Sequence, residues 1–310
     1  MPADEREPGR RRALLKALAA TALGGTSRMA GADEARLLRR RIPSSGESLA
    51  VIGLGTYRRF DVETDAVPAL EPVLAAFVAL GGELVDSSPM YGRAESVVGE
   101  LARRLGVRDR LFLATKVWTS GRAEGIRQME TSLSRLGVQR LPLMQVHNLL
   151  DWRTQWLTLR DWQAAGRVRY LGVTHYHADA YRELEAVLRA ERPDFVQLNY
   201  SLGEREAETR LLPLARDLGV AVIANRPFAQ GALFERVRGK ALPPWAMEFD
   251  CTSWAQFFLK FVLAHPAISC VIPATDQLSH LEDNLAAGRG RLPDAAQRAR
   301  MIDVFARLAV

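Results

Sequence analysis

The sequence predicts a single α/β domain, a (β/α)8 TIM barrel with a short extra C-terminal helix. The chain has 310 residues, of which 48% are hydrophobic. From about residue 41 onward, short apolar runs alternate with amphipathic helical stretches, and no proline- or serine-rich linker interrupts them. Near-continuous apolar strands that alternate with helices are typical of a parallel sheet, and eight such units close into a barrel. An open doubly wound sheet is the alternative, but its Gly-x-Gly-x-x-Gly fingerprint follows none of the runs.

The predicted strands span residues 50–55, 83–88, 111–117, 141–147, 170–176, 195–201, 220–227 and 268–275. Between them, apolar residues recur at helical spacing, and two of the helical stretches are expected to end at Gly106 and Gly219, since glycine favours the left-handed C-terminal position. A last helix is expected at about 293–308. The barrel domain is assigned to 42–310, preceded by a linker at 33–41.

The formal net charge of +6 is concentrated in the leader, because residues 1–32 hold six Lys or Arg side chains against three Asp or Glu. In the rest of the chain no Lys/Arg run is interleaved with aromatic residues, which argues against nucleic acid as a partner. The two cysteines, Cys251 and Cys270, give no disulfide framework.

Residues 1–32 form a segment of their own. Arg11 and Arg12, followed by Ala-Leu-Leu-Lys, resemble a twin-arginine (Tat) export signal, and small residues at 30–32 offer a cleavage site. The apolar stretch 17–26 is shorter than the about 20 residues of a membrane span, so no stable membrane anchor is expected. This pattern indicates a periplasmic protein that uses the Tat export machinery. A cytoplasmic enzyme with a basic N-terminus is the alternative.

Three polar residues stand at the ends of apolar runs, and a tyrosine follows close behind one of them. Asp86 and Tyr91 lie in LVDSSPMYG, Lys116 in FLATKVW and His147 in LMQVHN. The carboxyl ends of barrel strands open on one rim, so residues far apart in sequence meet there. Singly, each has an ordinary structural explanation, such as a cap, a rim aromatic, a solvated lysine or a core histidine. Their occurrence on successive strands favours a joint catalytic role.

With these positions placed, the chain resembles the aldo-keto reductases from Ile42 to its end. The resemblance rests on seven motifs in the family's order, GLGT at 53–56, DSS with YG at 86–92, TK at 115–116, QVH at 145–147, GVT at 172–174, QLNY at 197–200 and VIP at 271–273. It implies an NAD(P)H-dependent reduction of a carbonyl to an alcohol, in which Tyr91 donates the proton, Lys116 and Asp86 tune it, and His147 orients the carbonyl.

These residue types suit that chemistry. Hydride addition builds negative charge on the carbonyl oxygen, so the site must supply a proton or aligned donors. A nearby ammonium is expected to lower the pKa of a tyrosine, which makes Lys116 useful beside Tyr91. Asp86 would keep a buried Lys116 charged, and His147 would add a second donor.

The resemblance also implies a cofactor site along the rim, formed by Gly55, Thr56, Thr174, His175, Gln197, Asn225, Arg226, Pro227, Phe228, Gln230, Gly231, Ala274, Thr275, Asp276, His280, Asp283 and Asn284. Several of these depart from the family pattern. His175 replaces an asparagine that holds the nicotinamide carboxamide, and Asn225 replaces a tyrosine that stacks on the nicotinamide ring.

The residues expected near the 2′-phosphate of the cofactor also differ from those of relatives. Ala274 and His280 stand where NADPH-dependent relatives carry a lysine and an arginine. NADP(H) is still favoured, with Arg226, Arg289 or Arg291 as compensating cations, and NAD(H) is possible. Each charge-assisted bond to phosphate contributes about 1.5–3 kcal/mol, so these substitutions weigh on cofactor choice.

Tyr57, Trp118, Leu149 and Trp152 are expected to form an apolar substrate pocket for small-molecule aldehydes or ketones. A second hypothesis is a slow, cofactor-sensing regulatory protein that keeps the same four residues, the tetrad Asp86, Tyr91, Lys116 and His147. A non-redox barrel is the third. A metal site involving His175 and His177 is a further alternative. No carboxylate or cysteine has a recognisable ligand spacing to them, so no metal is predicted.

Overall fold

The computed structural model describes residues 36–308. The predicted export segment at 1–32 and the first residues of the predicted linker lie outside the described residues. Two short strands come first, β1 (Arg39–Arg41) and β2 (Ser48–Ala50), and they pair antiparallel as a hairpin. The compact unit begins at Leu37, so the hairpin belongs to it and the last part of the predicted linker is a strand.

Eight parallel strands follow and neighbour one another in chain order. They are β3 (Leu54–Gly55), β4 (Leu84–Asp86), β5 (Phe112–Val117), β6 (Leu141–His147), β7 (Val168–Thr174), β8 (Phe195–Asn199), β9 (Ala221–Asn225) and β10 (Ile268–Val271). Single bridges join Ile52 to Val271 and Gly55 to Ala274, so the first barrel strand pairs with the last. The predicted (β/α)8 barrel is confirmed.

Helices surround this sheet. They are α1 (Val67–Ala79), α2 (Ala94–Leu105), α3 (Arg122–Leu136), α4 (Trp152–Ala164), α5 (Tyr181–Glu191), α6 (Leu211–Leu218), α7 (Ala232–Arg236), α8 (Trp254–Leu263), α9 (Leu278–Ala286) and α10 (Ala295–Arg307). The helices α2 and α6 end at Gly106 and Gly219, both left-handed, as predicted. The expected last helix is α10, which Asp294 and Gln297 start with a reciprocal capping box.

The core has two parts. The larger lies between the sheet and the helices, and the smaller fills the barrel interior with alternate strand residues such as Leu84, Phe112, Leu143 and Phe195. Side chains on a strand alternate between its faces, so the same alternation carries inward-facing positions up to the carboxyl ends of the strands. There the inward residues become polar. None of the helices within residues 36–308 has the length and apolar content to span a bilayer.

Candidate active site

The inward-facing positions at the carboxyl ends of the strands carry the polar side chains of the site. Four of them are two residues beyond an apolar interior residue: Asp86 beyond Leu84, Lys116 beyond Ala114, Gln145 beyond Leu143 and Gln197 beyond Phe195. Asp86, Lys116, Gln145, His147, Thr174 and Gln197 are all buried. Because successive side chains on a strand point to opposite faces, these polar residues, which are distant in sequence, form one cluster at the carboxyl ends of the barrel strands.

Lys116 and Asp86 form a buried ion pair at the centre of this cluster. Lys116 Nζ donates to Asp86 Oδ2 over 2.6 Å and to the carbonyl oxygen of Ser87 over 2.7 Å. The same ammonium lies 4.9 Å from the centroid of the Tyr91 ring. Lys116 therefore contacts two of the other three predicted catalytic residues and lies behind the phenol of Tyr91.

The second carboxylate oxygen of Asp86 is also held. Gln197 Nε2 donates to Asp86 Oδ1 over 2.8 Å, and Gln145 Nε2 does so over 3.3 Å. Both oxygens of this buried carboxylate therefore have hydrogen-bond donors. Gln145 was not among the predicted site residues, although its position two residues before His147, on the same inward face of the strand, would have indicated it.

Burial and charge act in opposite directions on the titratable pair. Burial raises the pKa of the Tyr91 phenol above its ordinary value, the Lys116 ammonium opposes this rise, and the Asp86 carboxylate adds to it. Burial alone would lower the pKa of Lys116, but Asp86 and then Tyr91 outweigh it and raise that pKa. The expectation that Lys116 brings the pKa of Tyr91 below its usual value was wrong, because desolvation of the phenolate is the larger effect.

His147 completes the tetrad beside Tyr91. Its ring meets the Tyr91 ring edge to face, with centroids 5.7 Å apart, and its Nδ1 lies 2.9 Å from Ser88 Oγ. Burial, followed by the charge of Lys116 and the proximity of His175, lowers the pKa of His147 to about 2. The imidazole is therefore neutral at physiological pH, and it can offer one N–H and one acceptor nitrogen.

A cavity of about 1210 Å³ opens above the tetrad. Single ligand sites usually measure roughly 300–1,000 Å³, so this one has room for a cofactor and a substrate together. Asp86, Tyr91 and His147 line it, whereas Lys116 is enclosed behind them. Of the predicted cofactor residues, sixteen line the cavity, namely Gly55, Thr56, Thr174, Gln197, Asn225, Arg226, Pro227, Phe228, Gln230, Gly231, Ala274, Thr275, Asp276, His280, Asp283 and Asn284.

Three predicted residues lie outside this lining. The His175 ring stacks on Tyr176, and its Nδ1 accepts from the backbone N–H of His177. Leu149 belongs to the core under the rim, and Trp152 starts α4, where its indole donates to Glu183. Left-handed backbone at Asn148 and Leu149 reverses the chain just after β6. After this turn, Asn148 faces the cavity and Leu149 faces the core. The expected roles of Leu149 and Trp152 in the substrate pocket are therefore wrong.

Tyr57 and Trp118 line the cavity as predicted, and several unpredicted residues join them. Met90, Tyr176, Phe234 and Trp254 add apolar surface, while Arg58 and Arg59 add positive charge. Two of the proposed compensating cations are elsewhere, since Arg289 donates to Leu80 and Arg291 pairs with Asp250. Arg58 and Arg59 directly follow Gly-Thr-Tyr at the first strand end, and this position is the signal that would have marked them.

His175 and His177 do not assemble a metal centre with neighbouring ligands. His177 Nδ1 accepts from the N–H of Asp179 and lies 3.1 Å from its carboxylate. Within residues 36–308, no group of three or more His, Cys, Asp or Glu side chains has the arrangement of a metal site.

The cavity wall has features suited to a dinucleotide. Asn148 Oδ1, Asn225 Oδ1 and Arg226 Nε are buried without a hydrogen-bond partner among residues 36–308, and all three residues face the cavity. Buried polar atoms of this kind normally have partners, so these atoms fit polar groups of a bound ligand. Next to them, Ala229, Gln230 and Gly231 have positive φ, which curves the loop around the cavity. The residues present therefore fit a nicotinamide dinucleotide.

Comparison with known proteins identifies the family of this chain. The model of the aldo/keto reductase family matches residues 51–300. Methylglyoxal reductase YeaE from Escherichia coli (strain K12) is 29% identical over 255 residues, covering 80% of this chain and 88% of that protein. An aldo/keto reductase from Klebsiella pneumoniae, solved with NADP and acetate, is 26% identical with a TM-score of 0.70, covering 84% of this chain and 93% of that one.

A second solved structure, AKR11C1 from Bacillus halodurans in its holo form, supports the fold alone. Its TM-score is 0.73 at 22% identity, over 89% of this chain and 98% of that chain. The family match runs from the first barrel strand into the last helix and includes the whole tetrad. The chain therefore belongs to the aldo/keto reductase family of carbonyl-reducing enzymes.

Proposed function

We propose that this enzyme reduces apolar or aromatic aldehydes and ketones to alcohols with NADP(H), and that Tyr91 donates the proton. One observation carries the proposal. A buried lysine, 2.6 Å from Asp86 and 4.9 Å from the Tyr91 ring centroid, lies directly behind a phenol that faces a large cavity. A phenol with an ammonium behind it is suited to give up a proton and to hold the remaining charge.

The protein groups act on the carbonyl oxygen. When bound, the reduced nicotinamide supplies the hydride. Tyr91 and neutral His147 donate hydrogen bonds to the carbonyl oxygen and stabilise the negative charge that develops there. Tyr91 then transfers its proton to that oxygen, and the Lys116 ammonium stabilises the resulting phenolate. Asp86 keeps Lys116 charged throughout, because its carboxylate raises the pKa of that amine.

NADP(H) is the cofactor that the solved relatives support, since the Klebsiella pneumoniae enzyme was crystallised with NADP. In this chain, Arg59 and Arg226 both line the cavity and offer cations for phosphate groups. Arg59 Nη1 lies 3.5 Å from Asp276 Oδ2, in the segment where relatives hold the 2′-phosphate. Arg59 thus supplies the positive charge missing at Ala274 and His280.

The substrate class follows from the wall around Tyr91. Tyr57 lies 4.9 Å from Tyr91 between ring centroids, and Trp118 lies 6.5 Å from His147. Both side chains are about 40% exposed, so they present aromatic surface to an incoming molecule. Such a mouth favours aromatic or apolar aldehydes over charged sugars. Methylglyoxal is a further compound to test as a substrate, because one relative is named for its reduction.

The test of this proposal is turnover by the purified chain and its Tyr91→Phe variant. With NADPH and benzaldehyde, we expect steady loss of NADPH absorbance. Removal of the phenolic proton should lower kcat by about 100-fold or more, the usual contribution of a positioned general acid, while the Kd for NADPH stays the same.

Tyr170→Phe is the matched control. Tyr170 is a buried phenol at the opposite end of the barrel, bonded to Ser45 and Glu47, and its loss should leave kcat unchanged. Equal activity in Tyr91→Phe would remove Tyr91 from its assigned role. Tight NADPH binding by the wild-type chain with no turnover of benzaldehyde or methylglyoxal would instead favour a cofactor sensor.

We propose further that the leader directs Tat export to the periplasm. Its support is the sequence around Arg11 and Arg12. A folded protein with its nucleotide already bound suits a route that moves folded proteins. Fractionation of cells that express the full chain should place it in the periplasm. The double variant Arg11→Lys, Arg12→Lys should stay cytoplasmic, and Arg28→Lys should not. Equal distribution of all three chains would exclude this route.

A further inference from the structure

Ser88 is a buried residue of the loop that joins β4 to Tyr91, and its hydroxyl contacts the catalytic histidine. Its Oγ lies 2.9 Å from His147 Nδ1 and accepts a hydrogen bond from the backbone N–H of Met90 over 3.3 Å. Ser88 has no exposed surface. The serine therefore must satisfy its single hydroxyl hydrogen within the protein or leave it unpaired.

The two possible directions of the Ser88–His147 bond are not equivalent. A serine hydroxyl has one hydrogen to donate and two positions that accept. Met90 fills one accepting position. If His147 Nδ1 donated to Ser88, the hydroxyl hydrogen would have no acceptor among residues 36–308. A buried donor without a partner costs free energy, so the favoured arrangement has Ser88 donating to an unprotonated Nδ1.

The protonation state of His147 turns this bond into a choice of tautomer. The imidazole is neutral, because burial and the charge of Lys116 lower its pKa to about 2. A neutral ring carries one proton, and an accepting Nδ1 places that proton on Nε2. Nε2 is the nitrogen that Ser88 leaves free, and His147 lines the cavity.

We infer that Ser88 is a positioning residue that holds His147 in the Nε2–H tautomer, so that the imidazole donates to the substrate oxygen rather than accepting from it. The inference rests on the proposed function for its catalytic consequence. The tautomer itself is a property of the free protein. Without Ser88, Nδ1 and Nε2 compete for the proton, and part of the enzyme would present a lone pair to a carbonyl oxygen.

The direct test is the ring spectrum of the full chain labelled with 15N-histidine. The nitrogen shifts distinguish the two neutral tautomers, and loss of a signal set in His147→Gln assigns His147 among the five histidines. We expect His147 as Nε2–H, unchanged between pH 5 and 8. A protonated Nδ1 in the wild-type chain would overturn the inference whatever the variants do.

Variants then test Ser88 itself. Ser88→Ala should give a mixture of tautomers and lower kcat/KM for the carbonyl by about two- to tenfold, the effect of one hydrogen bond, with an unchanged Kd for NADPH. Ser88→Thr, which keeps the hydroxyl, should restore the Nε2–H form. Ser132→Ala removes another buried serine hydroxyl, one on α3, and should change neither readout.

The outcomes are separable from those of the proposed function. A Ser88→Ala chain that keeps pure Nε2–H, or that keeps full kcat/KM despite a mixed tautomer, would contradict the role given to Ser88. A wild-type chain with the Nε2–H form but no reductase activity would support the tautomer assignment while the proposed function fails.

Discussion

At Tyr91, burial and charge compete for one proton. The phenol is enclosed at the base of the cavity, so its charged form lacks solvation, and Lys116 recovers only part of that loss. The consequence is a phenol that stays protonated over the whole physiological range. It is therefore in the form that a proton donor requires before hydride arrives.

The pH dependence of the reaction should reflect this balance. The raised pKa of Tyr91 means that the proton is lost only above the ordinary value of 10.0. We expect kcat/KM for reduction to stay level from neutral pH to about 10 and to fall above it. His147, with a pKa of about 2, should add no inflection near 6.5. A pH–rate profile checks both, and a limb near 6.5 would contradict the neutral histidine.

Cofactor choice is a second property of single residues. Asp276 and Arg59 pair in the cavity wall at 3.5 Å, so the carboxylate would repel a 2′-phosphate bound there and would compete with it for Arg59. Asp276→Ala should raise the preference for NADPH over NADH about tenfold, and Arg59→Ala should lower it, since one charge-assisted bond is at stake. His280→Arg should act in the same direction as Asp276→Ala.

The measurement is the ratio of kcat/KM values for the two nucleotides. Asp303→Ala, an exposed aspartate on α10, is the control and should leave the ratio unchanged. An unchanged ratio in both Asp276→Ala and Arg59→Ala would place the 2′-phosphate elsewhere in the cavity.

Between elements, close packing of helices supports the strand ends. The helices α2 and α3 meet at Gly99, where an added Cβ would lie 2.1 Å from the backbone oxygen of Arg135. Buried Glu95, one turn earlier, accepts a hydrogen bond from Thr115 Oγ1 over 2.5 Å. Helix α2, which packs against α3 at Gly99, thus also holds Thr115, the strand residue directly before Lys116, through Glu95.

Two helical glycines give a matched test of this packing. Gly99→Ala forces backbone apart and should lower the free energy of unfolding by about 1–3 kcal/mol, the cost of overpacking. Gly125→Ala meets only the end of the Gln155 side chain, so it should change stability by less, since alanine also favours the helix by about 1 kcal/mol. Denaturant unfolding measures both, and equal losses would argue against a backbone contact.

In the whole molecule, the N-terminal hairpin closes the end of the barrel opposite the cavity. Ile42 and Leu49 pack into the interior core, and the Arg40 guanidinium donates to the carbonyl oxygens of Leu263, His265 and Ile268. One arginine of β1 therefore bonds three carbonyls around β10. The hairpin therefore contributes to the stability of the barrel.

Adjacent arginines test this closure. Arg40→Ala removes these three hydrogen bonds and should cost about 3 kcal/mol of stability. Arg39→Ala removes an exposed pair with Glu83 at 2.7 Å and should cost at most about 1 kcal/mol. Thermal unfolding in NADPH-free buffer compares the two variants. Similar melting temperatures would show that the Arg40 hydrogen bonds do not stabilise this end of the barrel.

The barrel and its rim were predictable because both follow from periodicity. The apolar runs marked all eight strands, and the carboxyl ends of these runs placed Asp86, Lys116 and His147 on one rim. The loops were less predictable. Left-handed residues after β6 exchanged the directions of Asn148 and Leu149, and no local pattern in the sequence signals that turn. Arg59 and Asp276 meet across 217 positions, a distance that no single motif covers.

The sequence by itself therefore determined the architecture, the family and the residues of the tetrad, since these depend on local alternation and on motifs in order. Only the tertiary structure decided the sign of the Tyr91 pKa shift, the partners of Asp86 and the contact between Ser88 and His147. These depend on how much solvent is removed around each group and on which distant side chains share its hydrogen bonds, and both are properties of the packed chain.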